Sequence, residues 1–275
     1  LPSSNLLGSL GLELSGSFLQ KGTLEMRTVK FGDVEVTRFV IGGNPFSGFS
    51  HQSRERDKEM VHYYTVARIK ETLHKAEAAG INTFFGRTDR HVKRMLLEYW
   101  DEGGQIQWFG QTAAELGDQV RAIRDAANAG ATGVYVHGGV VDHWYTQGQF
   151  DMFEAALEQM RECGLVAGFA GHMPEAHTWI RDNLQPDFQM CSYYNPSPRG
   201  DRPDHVAGVK ERWDEADRAA MTALIQTIPW PVVHYKVFAA GNRSIRAGFE
   251  YLASQMREND LTCIGHYLGD NPDMI

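Results

Sequence analysis

The sequence predicts an α/β chain folded as a (β/α)8 TIM barrel with an N-terminal β-hairpin. Three observations carry this expectation. Eight apolar runs of strand length follow one another between Arg38 and Tyr267, and the segments between them read as amphipathic helices. The runs are apolar at successive positions rather than at alternate ones, the pattern of strands buried on both faces. Strands of that kind separated by helices imply a parallel sheet covered by helices. Eight such units close most naturally into a barrel, with a doubly wound open sheet as the alternative.

Residues 1–25 read as a leader or N-terminal extension, and 26–275 as a single barrel domain. The opening segment has no basic start, and Gly, Ser and Asn interrupt its leucines, so it does not match a secretory signal. From Thr28 to Gly43 (TVKFGDVEVTRFVIGG) two β-type runs flank Gly32-Asp33, a good hairpin turn. The eight strand runs are Arg38–Gly43, Ile81–Arg87, Ile106–Gln111, Gly133–Gly138, Leu165–His172, Phe188–Asn195, Val232–Ala239 and Leu261–Tyr267. The clearest helices are Thr65–Ala79, Leu116–Ala129, Phe150–Cys163 and Glu215–Thr227, with apolar residues three and four apart. Gly80, Gly130 and Gly164 stand where helix C-caps are expected. The longest stretches expected to be non-helical are Asn44–Lys58, Gly138–Gly148 and Asn195–Val209, each after a strand end, where barrel enzymes gather their chemistry.

Composition narrows the function classes. At 275 residues and 42% hydrophobic, the chain has material for one large core. It has no apolar stretch long enough to span a bilayer. Its net charge of −8, with acids and bases intermixed, argues against nucleic acid or an anionic membrane as partner and leaves a small molecule. A homo-oligomer is left open. The three cysteines, Cys163, Cys191 and Cys263, form no CxxC pair, so neither a disulfide framework nor structural zinc is expected. A reducing, cytoplasmic setting fits, though a large secreted or periplasmic domain needs no disulfides either.

Several segments resemble the aldo/keto reductases. VTRFVIGGNPFSG (Val36–Gly48) is similar to the entry of that family's barrel, and EAAGINTFFGRTD (Glu77–Asp89) to its second strand. VYVHG (Val134–Gly138) resembles the fourth strand, and GLVAGFAGHMPEAHTWI (Gly164–Ile180) matches the fifth strand and its helix in position. FQMCSYYNP (Phe188–Pro196) and VVHYKVFAAG (Val232–Gly241) resemble the sixth and seventh. The resemblance runs in order over about residues 27–245 and implies the fold more strongly than the activity. The family's reductases use Asp, Tyr, Lys and His. Here Gly86 stands at the Asp position, Arg90-His91-Val92 offers no Tyr, and Trp108-Phe109-Gly110-Gln111-Thr112 offers no Lys. The His alone is retained, as His137. By the same resemblance Gln189 and Tyr235 are cofactor-binding residues that hold and stack on nicotinamide. A Ser-Asn pair is replaced by Ala170-Gly171, and the basic NADP-phosphate grip is missing from GHYLGDNPDMI (Gly265–Ile275). NADP is therefore disfavoured.

The strand ends, taken on their own, suggest other chemistry. His137, His172, His234 and His266 lie in or at the ends of four runs, and neutral imidazoles from separate strands form a usual first shell for Zn²⁺ or Mn²⁺. No HxH or HExxH spacing supports this locally, and strand parity can turn His234 outward. A metal-free acid–base pair of His137 and His172 is the competing arrangement. Asp89, a candidate catalytic carboxylate, and His91 follow the second run, and His51 lies in the loop after the first. Lys236 is a base or Schiff-base former if it faces the barrel interior. Its neighbour Tyr235 matches the family's inward Tyr, so parity favours an outward Lys236 that pairs with a helix acid. Asn44 and Phe46 in the first loop, Asp142 and Trp144 after the fourth run, and Tyr194, Asn195 and Arg199 after the sixth are candidate substrate contacts. Aromatics beside Asp, Asn and His suit a sugar, and Arg199 suits a carboxylate or phosphate. The expectation is thus an enzyme acting on a carbohydrate or hydroxy-carbonyl compound by acid–base or metal-assisted chemistry. A reductase rearranged around His137, Gln189 and Tyr235, and an inactive barrel kept as a binding subunit, are the alternatives.

Overall fold

A computed structural model describes residues 12–13, 25–197, 202–203 and 211–275. The chain forms a closed barrel of eight parallel strands with an antiparallel hairpin at its N-terminal end. The hairpin strands are β1 (Thr28–Phe31) and β2 (Val34–Thr37), turning at Gly32 with φ of 57°, a left-handed value that glycine adopts freely. The barrel strands are β3 (Phe39–Gly42), β4 (Thr83–Arg87), β5 (Gln107–Gln111), β6 (Gly133–Val136), β7 (Val166–Gly171), β8 (Phe188–Ser192), β9 (Val232–Tyr235) and β10 (Leu261–Gly265). Each pairs with its sequence neighbours, and β10 closes on β3. A further short pairing joins Leu12–Glu13 to Glu25–Met26. Of the extension expected over 1–25, the rest lies outside the described residues.

Aromatic rings fill the barrel. Phe85, Phe109, Tyr135 and Phe188 are buried in one cluster with the hairpin residues Val29, Phe31 and Val36. Phe85 and Phe109, opposite each other in register, stack with centroids 5.0 Å apart. Phe31 stacks on Phe188 at 4.8 Å, so the hairpin plugs one end of the barrel and function is left to the other. Helices α1 (Arg54–Tyr63), α2 (Val66–Ala78), α3 (Arg90–Asp101), α4 (Gln119–Ala127), α5 (Gly138–Thr146), α6 (Phe150–Glu162), α7 (Pro174–Asn183), α8 (Glu215–Ile225) and α9 (Ile245–Gln255) surround the strands. Side-chain caps at Ser53, Thr65, Asp89, Asp118, Asp214 and Ser244 start six of them by accepting a backbone N–H. None of the described helices is long and apolar enough to cross a membrane.

The expected non-helical stretches need correction. Gly138–Thr146 is helix α5, despite two glycines that each cost about 1 kcal/mol of helix propensity. The buried side chains of Val140, Val141 and Trp144 and the His137 cap offset that cost. In the first loop a 3-10 turn spans Pro45–Ser47 and α1 already begins at Arg54. Most of the third stretch, from residue 198 onward, lies outside the described residues.

Candidate active site at the barrel mouth

A cavity of about 340 Å³ opens at the C-terminal ends of the strands. Asn44, Phe49 and His51 reach it from the loop after β3, Arg87 from the end of β4 and Gln111 from the end of β5. Ala114 and Glu115 follow β5, His137 and Gly138 follow β6, His172 follows β7, and Tyr235 and Lys236 close the ring from β9. In a parallel barrel the side chains at these ends converge on the mouth, whatever their distance in sequence.

One wall holds a connected proton path. Asp142, fully buried on α5, accepts from the backbone N–H of His172 at 3.0 Å and of Met173 at 3.2 Å. Its second oxygen lies 2.7 Å from His172 Nδ1. A buried carboxylate held in this way accepts the Nδ1 proton and leaves Nε2 as the acceptor. Nε2 lies 3.2 Å from the Tyr235 hydroxyl, which is also 3.2 Å from the Gly171 carbonyl. The phenol can donate to either, so a proton taken up by His172 can be matched by a swing of the Tyr235 O–H to Gly171. Glycine at 138 makes the arrangement possible, since a Cβ there would sit 2.9 Å from His172 Cε1 and 3.0 Å from the Tyr235 oxygen.

His137 has the opposite tautomer. As the N-cap of α5, its Nδ1 accepts the Gly139 N–H at 3.1 Å, so a neutral ring carries its proton on Nε2 and is a donor. On another side of the cavity His51 Nδ1 lies 2.8 Å from buried Glu211, with the Lys236 ammonium 3.3 Å from Nε2 and the Asn44 amide 3.4 Å from it. Lys236 also lies 5.6 Å from the Trp213 ring centre. Arg87 bonds Asp89 at 3.2 Å, pairs with Glu115, and stands 5.0 Å from the Phe49 ring centre.

The sequence-predicted residues divide sharply. His137, His172, Lys236, Tyr235 and Asn44 come together at the cavity, and Asp142 stands directly behind His172. Lys236 departs from the parity argument because β9 ends at Tyr235. At φ of 57° Lys236 is left-handed, which turns its side chain back to the mouth beside Tyr235 instead of out to a helix. Asp89 caps α3 through the Val92 N–H at 2.9 Å and does not line the cavity. Phe46 packs outside the barrel, 4.7 Å from Tyr64 and 5.7 Å from Phe84, and Trp144 lies edge-on to Phe153 at 5.3 Å; both are core residues. Tyr194 is buried against Trp213, and Asn195 donates its backbone N–H to Asp217, so neither lines the mouth. Arg199 lies outside the described residues.

The four histidines do not form one metal shell. Phe188 and Met190 point inward, so their strand neighbours Gln189 and Cys191 point outward, and so does His234, paired in register with Cys191. His234 is buried between Tyr193 at 2.9 Å and Asp260 at 3.1 Å. His266 packs against Phe39, with ring centres 5.6 Å apart. Among the described residues no group of three His, Cys, Asp or Glu side chains is arranged to hold a metal. Gln189 is likewise outside the barrel. Its amide donates to the His177 carbonyl and to His177 Nδ1, both at 3.0 Å, and its oxygen accepts from Trp230 at 3.0 Å. Burial there pushes His177 down to about 4.

Sequence patterns give no role to His51, Glu211, Arg87, Gln111, Glu115 or Gly138, all of which stand at or beside the cavity. For His51 a signal existed, a histidine in the first strand-end loop. Glu211 offered none, because it reaches the site from just before α8.

No family model matches the chain, and no curated protein matches it in sequence. Solved structures do. A protein from Pseudomonas aeruginosa assigned to the aldo-keto reductases is 14% identical, covers 88% of each chain and superposes with a TM-score of 0.57. One assigned as a 2,5-diketo-D-gluconic acid reductase B is 9% identical over 88% of this chain and 81% of its own, with a TM-score of 0.54. An aldo-keto reductase from Bacillus halodurans is 12% identical over 88% and 85%, at 0.53. At such identities the likeness is one of fold, a diverged aldo/keto-reductase-like barrel. Two of the positions that the resemblance assigns to a dinucleotide have other partners within the chain. Gln189 bonds His177 and Trp230, and the Gly171 carbonyl accepts from the Tyr235 hydroxyl.

Proposed function

We propose that the chain is an enzyme that moves a proton at a carbon next to a carbonyl in a small hydroxy-carbonyl or carbohydrate substrate. The observation that carries this reading is the path from Asp142 through His172 to Tyr235, which ends in a polar cavity of about 340 Å³. His172 Nε2 is the base, Asp142 fixes its tautomer, and Tyr235 shares its proton. The Nε2–H of His137 is the donor for the carbonyl oxygen as enolate charge develops there. Asn44, Gln111 and Arg87 supply hydrogen bonds to hydroxyls, and Phe49 supplies an aromatic face for C–H groups. The cavity matches a molecule of monosaccharide size.

The test is solvent exchange. Aldoses, ketoses and hydroxy acids are incubated with the protein in D2O and followed by proton NMR for loss of the signal next to the carbonyl. The wild type is expected to label one class. His172→Ala and His137→Ala should each slow labelling by about 10²- to 10⁴-fold with the fold retained by circular dichroism. Wild-type labelling by the double variant sinks the assignment.

A second reading rests on the left-handed backbone that brings the Lys236 amine into the cavity. There it would form a Schiff base with the same carbonyl, and borohydride would trap the adduct on Lys236 in a mass spectrum.

A further inference from the structure

The end of β4 brings a charge to the cavity that the proton path does not use. Phe85 and Phe109 pack inside the barrel, so Arg87 and Gln111, two residues further on and paired in register, share the inward face. Arg87 lines the cavity with its side chain only 11% exposed. A guanidinium sheltered to that degree needs partners, and the chain gives it two carboxylates of different character.

Asp89 lies 3.2 Å from Nε, while its other oxygen accepts the Val92 N–H at 2.9 Å as the cap of α3, so this contact is anchored at both ends. The guanidinium also lies over the Phe49 ring, 5.0 Å from its centre. Glu115 meets Nη2 from a 3-10 turn over Ala114–Leu116, and its side chain is 58% exposed. The remaining nitrogen, Nη1, has no hydrogen-bond partner among the described residues. Asp89 and Phe49 thus hold the fork in place, whereas Glu115 reaches its Nη edge from solvent. An ion pair with one partner mostly in water is weak, so a ligand can take the place of Glu115 at little cost.

Resting on the proton-transfer reading, we infer that the substrate is a carboxylic acid and that Arg87 binds its carboxylate through Nη1 and Nη2, where Glu115 now sits. The planar fork suits a planar carboxylate, which accepts two parallel N–H bonds from it. Charge separates this ligand from a phosphate. A carboxylate that replaces Glu115 leaves the local charge unchanged, whereas a phosphate monoester brings about −1.5 to −2 to a site that already holds Asp89. The floor of the cavity joins this subsite to the proton path. Burial pushes the Tyr135 phenol well above its ordinary range, Cys263 and Tyr235 push it further, and the Arg87 charge draws it back. The guanidinium and the Tyr235 hydroxyl therefore act on the same buried phenol, and both line the cavity of about 340 Å³. The substrate class narrows to hydroxy-carbonyl acids, with uronic acids as the probes.

The experiment uses D-glucose, D-galactose and D-mannose, each as the neutral sugar, the uronate and the 6-phosphate. Binding to the full chain is read by calorimetry, and exchange of the proton next to the carbonyl by NMR in D2O. One uronate at least should bind about tenfold or more tighter than its neutral and phosphorylated counterparts, and should exchange. Arg87→Lys keeps the charge and loses the fork, and should weaken that uronate about 10- to 100-fold. Glu115→Gln, on an exposed turn where the fold has little at stake, should tighten it about two- to fivefold by removing the competing carboxylate. Equal affinity for a uronate and its neutral sugar overturns the inference, as does tighter binding of a 6-phosphate or no binding by any member. So does wild-type affinity for the uronate in Arg87→Lys, or weaker affinity in Glu115→Gln. Exchange of a neutral sugar under any of those results leaves proton transfer standing. A uronate held through Arg87 with no exchange of any member removes the proton-transfer reading and leaves the carboxylate subsite.

Discussion

Acidification should unfold this protein through its buried neutral histidines before its carboxylates titrate. His177 is fully buried on α7 against β8 and accepts the Gln189 amide proton on Nδ1, an acceptor that an imidazolium lacks. Burial pushes it from 6.5 down to about 4. Burial likewise pushes His266 to about 4, and His234 is also lowered. Between pH 6.5 and 4 the unfolded chain therefore binds protons that the folded chain refuses. Stability is full above 6.5 and falls as the pH drops toward 4. A displacement of about 2.5 units at about 1.36 kcal/mol per unit gives on the order of 3 kcal/mol for each of His177 and His266. Together that rivals the whole stability of a typical domain, about 5–15 kcal/mol. Urea unfolding followed by tryptophan fluorescence at pH 7, 6, 5 and 4.5 should show a slope approaching roughly 2.7 kcal/mol per pH unit near pH 5. In parallel, two histidine ring signals should stay at their neutral shifts down to pH 5. A flat stability between pH 6.5 and 4.5, or a rise on acidification, refutes the reasoning.

Three substitutions separate the site from its scaffold. Gly138→Ala should lower the proton-exchange rate at least about 10²-fold, because its Cβ meets His172 and Tyr235, with the fold retained by circular dichroism; an unchanged rate removes the proposed path. Phe31→Ala should cost about 3–5 kcal/mol in urea unfolding by hollowing the hairpin plug, and a cost under about 1 kcal/mol would mean that the hairpin does not close the core. Asp89→Ala should cost about 1 kcal/mol as a lost helix cap and alter the exchange rate less than about tenfold, whereas a fall of about 10³ would return Asp89 to catalysis.

The fold was legible because its signals are local. Each β-run is apolar on both faces, each helix shows its period within a dozen residues, and the Gly32-Asp33 turn joins neighbours. The exceptions had local causes too. Helix α5 hides behind Gly138-Gly139, and its cap is a histidine in place of Ser, Thr, Asp or Asn. The site was legible only where a strand end names its own residue, as at His137, His172 and Tyr235. Aromatic and amide residues near those ends, such as Phe46, Trp144 and Gln189, look the same in sequence whether they face the mouth or the helices. Parity settles that question inside a strand and is silent beyond its last paired residue.

That limit accounts for the residues that matter most here. His51 and Lys236 lie just past their strands with left-handed backbones, so no alternation rule extends to them, and their side chains return to the mouth. His137 is reached through a helix cap, and Asp142 through the middle of α5. The acid–base groups that the family resemblance looks for on the second and third strands are absent from them. Imidazole, phenol and amine groups line the cavity after the first, fourth, fifth and seventh strands of the ring, and two of the imidazoles stand against carboxylates. A barrel permits this relocation because its mouth is a ring of equivalent strand ends, all aimed at the same space. The two imidazole–carboxylate pairs join residues 160 apart at His51 and Glu211 and 30 apart at His172 and Asp142, so sequence proximity reveals neither.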